Sequence, residues 1–526
     1  MSRRNEITKR DEELLARLGY KQEFKRAFTP LELFGLLFST VGLFPSMTSA
    51  LVYSLPNGGP VAMVWGWVVA SLFVLCIGMA IAELASAAPT AGGVYYWTHT
   101  FASPRWRNLL SWIVGYANTI GYIGGVASVD WGCAVQITAA ASIGSGQTYV
   151  ATNAQTFGIF IALLLSHSLV CCLATTFIAR VQKLYITVNI CLCLVVIIGL
   201  PVVTQKKNMN NANYALGTFA NLNGWPDGFT FILSLIYPLW TIAGPDTGVH
   251  LSEEAMNAAV AVPWATISAE FIAGLLGWAI NLSLAFCMDT NTEEILNSPI
   301  GQPMAAILFS RFGQRGTLAI WSFVVIAQYM MGFNLVVAAS RKAFAFSRDR
   351  VLPFSSILSR VNKHTRTPVN AVWFVVVLAA LLGLLSFAGS QAISAVFSVT
   401  VNALYIAYTI PIASRWLGGN NFKPGPFHLG ALSLPISVIA VLFMTFMNIV
   451  FLFPITPNPS TTDMNYTVVV LGGVFTLSMV WYYFPVYGGV HWFTGPIRNI
   501  SRGDEDSSPN TDVKEEMCEV SEVRKH

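Results

Sequence analysis

Twelve apolar runs of membrane-crossing length follow one another along this chain. They lie at approximately 33–54, 60–86, 108–139, 155–176, 183–203, 229–249, 262–288, 317–340, 369–387, 391–413, 431–453 and 466–487. A helix needs about 20 apolar residues to cross a bilayer, so these runs leave almost no sequence for a soluble domain. Composition agrees, with 54% of residues hydrophobic and 11% charged, against about 25% charged in soluble domains. In hydrocarbon each backbone polar group must be satisfied within its own element, and runs of this length do so as helices. The expected fold is an all-α polytopic membrane protein with twelve transmembrane helices. Residues 31–487 form the membrane domain, and 1–30 and 488–526 are its tails. The first thirty residues are polar and mixed in charge, and no signal peptide is legible in them.

Charge sets the orientation. With the N-terminus inside, 26 of the thirty Lys and Arg residues fall in inner segments. The outer loops receive only Lys206, Lys207, Arg311 and Arg315. The positive-inside rule then puts both termini in the cytoplasm and leaves no basic residue within a span. The plasma membrane is the expected location. Seven of the eight cysteines lie in apolar runs without metal or disulfide spacing. No metal, cofactor or nucleic-acid partner is implied.

Two of the runs are interrupted. In the sixth, Ala243-Gly244-Pro245-Asp246 stands in the middle of apolar sequence. Pro removes a backbone donor and Gly tolerates non-helical angles, so the helix is expected to break there. Broken backbone survives at that depth only where it is buried in protein or lines a wet cavity. In the first run, Phe38 to Ser46 (FSTVGLFPS) carries Gly, Pro and hydroxyl residues. Spans 1 and 6 are five apart. Two inverted five-helix repeats (1–5 and 6–10) plus two further helices account for that spacing, and interruptions at matching places mark the binding site of a secondary transporter. Small residues that let helices pack closely explain one interruption, but poorly explain two at equivalent positions.

The polar residues left in the membrane narrow the chemistry. Glu83, Asp130, Asp246 and Glu270 are acids in or at the edge of spans, and His167 and His250 accompany them. With no basic partner, such acids bind cations, carry protons or stay protonated. That favours a substrate bearing an amine, or coupling to protons. Asn118 and Tyr122 share a face of span 3 at i, i+4. Tyr329, Phe333 and Asn334 lie on span 8, and Trp240 precedes the span 6 break by four residues. Such aromatics attract ammonium groups, by about 0.5–2 kcal/mol per contact, or serve as packing and interface anchors.

Four stretches carry a family resemblance. Glu83 to Trp97 (ELASAAPTAGGVYYW) resembles the loop after span 2 in the amino acid–polyamine–organocation transporter superfamily. Ser340 to Pro353 (SRKAFAFSRDRVLP), with Arg360-Val361-Asn362-Lys363 and Thr367-Pro368-Val369, resembles its loop after span 8. Gly244 to Glu254 (GPDTGVHLSEE) and Glu13 to Phe24 (ELLARLGYKQEF) resemble the fungal branch of GABA, choline and related amine permeases. The resemblance implies a substrate site between broken spans 1 and 6, helped by spans 3, 8 and 10. It assigns Ser39, Thr40, Val41 and Gly42 of the first break to that site. Trp240 is similar to an aromatic gate, and Thr241, Ala243 and Gly244 to an unwound substrate-binding segment. Asn118 is similar to a span 3 contact. Asp246 matches an acid implicated in proton response, with His250 as a second candidate. Where some relatives carry a span 5 Lys, this chain has Asn189 as the nearest polar residue. It also departs from the G-S/T-G triplet of α-amino acid carriers, having Phe38-Ser39-Thr40.

The resulting expectation is a secondary active transporter of a small amine or amino acid, working by alternating access and coupled to protons. GABA or another ω-amino acid leads, and choline or another quaternary amine is the alternative. A non-transporting nutrient receptor is the reading of another class, and the short tails speak against it. No nucleophile–base motif, metal-ligand cluster or phosphate loop suggests an enzyme.

Overall fold

A computed structural model of the chain describes residues 3–20, 22, 26, 28–173, 175–362, 365, 367–460 and 464–497. Most of the 488–526 tail lies outside them. The described residues form helices and no strand; two isolated bridges, Phe28 to Ala255 and Asn57 to Asn221, are the only β pairings among them. Ten helices are long and apolar enough to cross a membrane. They supply spans 1 to 5 as Pro30–Ser54, Gly59–Ala87, Arg107–Gly144, Asn153–Leu173 and Leu184–Val203. Spans 7 to 11 are Ala258–Cys287, Pro303–Arg348, Val369–Phe387, Ala392–Leu417 and Gly430–Val450. Thr467–Tyr483 is the shorter twelfth. The sixth is broken, with helices at Asp227–Ser234 and Ile236–Thr241.

The break in span 1 is narrower than its sequence suggests. Thr29 caps the helix through a reciprocal pair with Glu32, which satisfies two end donors at once. The helix then continues through Val41. The Ser39 and Thr40 hydroxyls donate back to the carbonyls of Gly35 and Leu36, so neither unwinds the chain. Only Gly42 departs, at φ 50°, and a new helix starts at Leu43. A Cβ there would stand 2.6 Å from Met331 Sδ and 2.9 Å from Tyr185 Oη. Both the left-handed angle and the close neighbours require glycine.

The break in span 6 is wider than expected. Helix ends at Thr241, Gly244 takes φ 92°, and only a 3₁₀ turn at Val249–Leu251 forms before Ala258. A second half-helix is therefore absent. The N-terminal segment compensates this irregular backbone. Phe28 exchanges backbone hydrogen bonds with Glu254 and Met256. Arg26 donates to the carbonyls of Ser252 and Ala255, and Asp11 accepts the N–H of Asn257. Leu15 and Tyr20 are buried, so the described part of the N-terminal segment packs on the membrane domain at these points.

Spans 1, 2, 6 and 7 pack on one another, and span 3 packs on spans 8 and 10. The two breaks lie in the first group and face the second across a buried seam. Two helices also run further than the hydropathy suggests. Span 8 reaches Arg348 and buries Lys342. Span 10 reaches Leu417 and carries Arg415, whose Nη1 lies 2.7 Å from Glu83 Oε2. The expectation that the acids have no basic partner is thereby corrected. Hydropathy marks where a run ends, but not which acid on another helix meets that end.

Candidate functional site

A cavity lies against the span 6 break. Trp240, Thr241, Ala243, Gly244 and Thr247 form one wall, and Thr40 of span 1 reaches it from below the first break. Span 3 contributes Gly121, Tyr122, Gly125 and Val129; span 8 contributes Met331 and Leu335; span 10 contributes Thr400 and Leu404. Ala243 and Gly244 are partly buried in a stretch otherwise buried, and Gly244 has only backbone to present to the cavity.

The span 3 wall is made close by glycine. A Cβ at Gly121 would stand 2.8 Å from Leu404 Cδ2, and one at Gly124 would stand 2.8 Å from Thr400 Oγ1. On the side away from the N-terminal segment, Trp240 closes the cavity. Its Nε1 donates to Ser128 Oγ at 3.1 Å, and its ring lies 4.7 Å from that of Phe397. Phe397 in turn lies 5.2 Å from Tyr53. Beyond this aromatic layer a second cavity, lined by Tyr53, Asn57, Ser394 and Asn465, continues outward.

At the other end sits Asp246, fully buried. Its Oδ1 accepts from Tyr122 Oη at 2.9 Å and from Tyr408 Oη at 2.5 Å. Its Oδ2 accepts from Asn118 Nδ2 at 2.9 Å and faces His250 Nε2 at 3.2 Å. Spans 3, 6 and 10 thus meet at one carboxyl group. Lys342 lies within electrostatic reach of it, at the end of span 8.

The imidazole contact has a defined proton inventory. His250 Nδ1 lies 2.9 Å from the carbonyl oxygen of Ala91. A carbonyl only accepts, so Nδ1 carries a hydrogen. The Nε2–Oδ2 contact is then attractive only with one further proton between them, as imidazolium and carboxylate or as imidazole and carboxylic acid. Loss of that proton leaves two lone pairs facing each other. The geometry therefore fits one proton shared between Nε2 and Oδ2, behind the Tyr122 wall of the cavity. Below it, Glu253 accepts the N–H of Ala91, and Glu254 lies 4.0 Å from Arg341.

The residues picked out in the sequence fall into three sets. Thr40, Tyr122, Trp240, Thr241, Ala243 and Gly244 line the cavity, and Asn118, Asp246 and His250 form a buried cluster behind the lining residue Tyr122. Ser39, Val41, Gly42 and Asn189 lie outside its lining. The Ser39 hydroxyl is spent on its own helix, the Val41 carbonyl accepts from Ser46 Oγ, and Gly42 makes the kink. Asn189 is buried one turn beyond Tyr185, which abuts Gly42. The third set moves away. Tyr329 lies 4.4 Å from the His167 ring and donates to Ser166, Phe333 joins that cluster, and Asn334 is buried beyond the lining. Span 8 instead presents Met331 and Leu335, since residues two positions away point to another face of a helix. Tyr408, Thr247 and Ser128 were not among the expected residues. Tyr408 had a signal, a phenol three residues after Tyr405 in a spanning run, but nothing in it names the partner.

A bundle of membrane helices, broken at a buried cavity closed at both ends, is the architecture of a carrier rather than an enzyme or an open channel. The chain belongs to the amino acid permease family, whose model matches residues 28–475. It is similar to an uncharacterized amino-acid permease of Schizosaccharomyces pombe, at 38% identity over 94% of this chain and 90% of that one. It is similar to the GABA-specific permease of Saccharomyces cerevisiae, at 36% identity over 96% of this chain and 88% of the relative. Amino-acid permease 2 of Neurospora crassa is 33% identical over 95% and 91%.

Proposed function

We propose that this protein takes up a small ω-amino acid of the GABA type, with a proton, by alternating access. The observation that carries the reading is the Asp246–His250 pair buried behind Tyr122 of the cavity wall, with four side chains gathered on one carboxyl group. Asp246 already accepts from all its neighbours, so its role is proton binding rather than direct capture of the substrate amine. Trp240 and Tyr122 offer ring faces to the ammonium, and the irregular backbone at Ala243 and Gly244 offers polar groups to a carboxylate. Similarity to a GABA-specific permease supports the same substrate class.

Choline is the second reading, and the departure from the G-S/T-G triplet in span 1 fits it as it fits GABA, since it speaks only against an ordinary α-amino acid. A quaternary ammonium is held by a cage of several aromatic faces. Of the aromatics considered, only Trp240 and Tyr122 line this cavity, which favours the amino acid. We place the carrier in the plasma membrane with both termini cytoplasmic, with residues 31–487 as the transport domain and 1–30 and 488–526 flanking it. The test is uptake of labelled GABA and labelled choline in cells lacking both activities, at acidic and at mildly alkaline external pH. GABA should accumulate, more at acidic pH, without competition from choline. Choline uptake without GABA uptake would overturn the substrate assignment.

A further inference from the structure

Glu270 stands at the middle of span 7, and the cavity does not use it. Its side chain is buried, and neither carboxyl oxygen has a hydrogen-bond partner. Among the described residues it makes no ion pair. It presses on span 2 at Gly78, where a Cβ would fall 1.7 Å from Oε2. The absence of a side chain at Gly78 makes the space that the carboxyl group occupies. The titratable groups that face it are Cys76 on span 2 and Tyr405 on span 10. An ionised carboxylate buried without a cation or donor costs several kcal/mol, so the neutral acid is the form this pocket holds.

Tyr405 links this pocket to the site. Its hydroxyl is also buried without a partner. Tyr408, one turn later on the same helix, is its electrostatic neighbour and donates to Asp246 Oδ1. A small cavity lined by Tyr405, Tyr408, Gly244 and Pro245 runs beside both phenols to the span 6 break. Glu270, Tyr405, Tyr408 and Asp246 thus follow one another from an unpartnered acid to the acid beside the substrate cavity, and in this conformation only the last step, Tyr408 to Asp246, is a hydrogen bond.

We propose that Glu270 is a second proton-binding site of the transport cycle, exchanging its proton with Asp246 through the hydroxyls of Tyr405 and Tyr408. In that exchange the proton leaving Glu270 passes to the Tyr405 oxygen as Tyr405 releases its own toward Tyr408. Tyr408 does the same toward Asp246. Glu270 ends with one proton fewer, Asp246 with one more, and both phenols unchanged. Glu270 and Gly78 belong to the group of spans that contains both breaks, whereas Tyr405 belongs to span 10. Movement between the groups would make or break the link.

This inference rests on the proton-coupled reading, and the test separates the two. Full-length wild type, Glu270→Gln and Tyr405→Phe are reconstituted in proteoliposomes, and labelled GABA is followed with and without an imposed inward proton gradient. Gln has the shape of the neutral acid, and Phe removes a hydroxyl that has no hydrogen bond to lose. Wild type should accumulate GABA under the gradient. Both variants should keep GABA exchange across the membrane but lose most of the gradient-driven accumulation, roughly tenfold, which is about 1.4 kcal/mol of coupling. The infrared band of a protonated carboxylic acid should be present in wild type and reduced in Glu270→Gln. Equal accumulation by wild type and both variants overturns the Glu270 site and leaves the coupled reading standing. A wild type that ignores the gradient overturns both.

Discussion

At the scale of single residues, the account turns on Asp246 and Trp240. Asp246→Asn keeps an acceptor for Tyr122 and Tyr408, but it cannot share a proton with His250. Its uptake should lose the rise at acidic pH seen in wild type while the protein still reaches the membrane. A pH profile that matches wild type would clear Asp246 of coupling. Trp240→Ala removes the ring that closes the cavity and that the proposal sets against the substrate ammonium. It should weaken GABA affinity by about 0.5–2 kcal/mol, read as the concentration of unlabelled GABA that halves uptake. Sequence revealed these two residues because a Gly-Pro-Asp in an apolar run is costly enough to need a reason. It could not reveal Tyr408, Ser128 or Lys342. Their importance lies in which helix they meet, and local pattern carries no such information. Tyr329 and Phe333 show the converse, since they are aromatics of the right kind on the right span turned toward His167.

At the scale of elements, the two breaks differ in kind. Span 1 bends at one glycine, and its hydroxyl residues hold the helix together up to that point. Gly42→Ala forces a side chain into the left-handed region, at roughly 1–2 kcal/mol, and drives a methyl against Met331 and Tyr185. The expected result is a lower thermal midpoint in detergent and reduced uptake. An unchanged midpoint would show that the kink does not depend on glycine. Just beyond span 8, Asp349 accepts the N–H of Ile497 at 3.1 Å. Burial pushes its carboxyl up to about 6, against the opposing pull of that bond and of Arg348. A folded value above the unfolded one makes this acid destabilising at neutral pH, and the cost fades as pH falls through about 6 toward the ordinary range. Asp349→Asn should therefore raise the thermal midpoint at neutral pH and close the gap to wild type in acid. Equal midpoints at both pH values would contradict the assignment. The position of both breaks was legible from Gly and Pro. Their extent was not, because hydrogen bonds from Ser39 and Thr40 narrow one and docking of the N-terminal segment widens the other.

At the scale of the whole molecule, the twelve spans and the helical fold were legible in hydropathy alone, since each run has to satisfy its own backbone in lipid. The pairing of Glu83 with Arg415 and the reach of span 8 to Lys342 were not. They follow from how the span groups pack, and they replace an interior short of positive charge with one where helix ends deliver it. The groups meet at a cavity closed by Trp240, Phe397 and Tyr53 on one side and, on the other, by Tyr122 and Thr247 with the Asp246–His250 pair behind them. Under the proposed alternating-access cycle the site opens to one side at a time, and a proton held by the Asp246–His250 pair would bias which side. The most direct measurement is the lumenal pH of proteoliposomes containing the wild-type protein as GABA is added outside. The account predicts acidification of the lumen that depends on GABA and saturates with its uptake. GABA accumulation with no change in lumenal pH would contradict it.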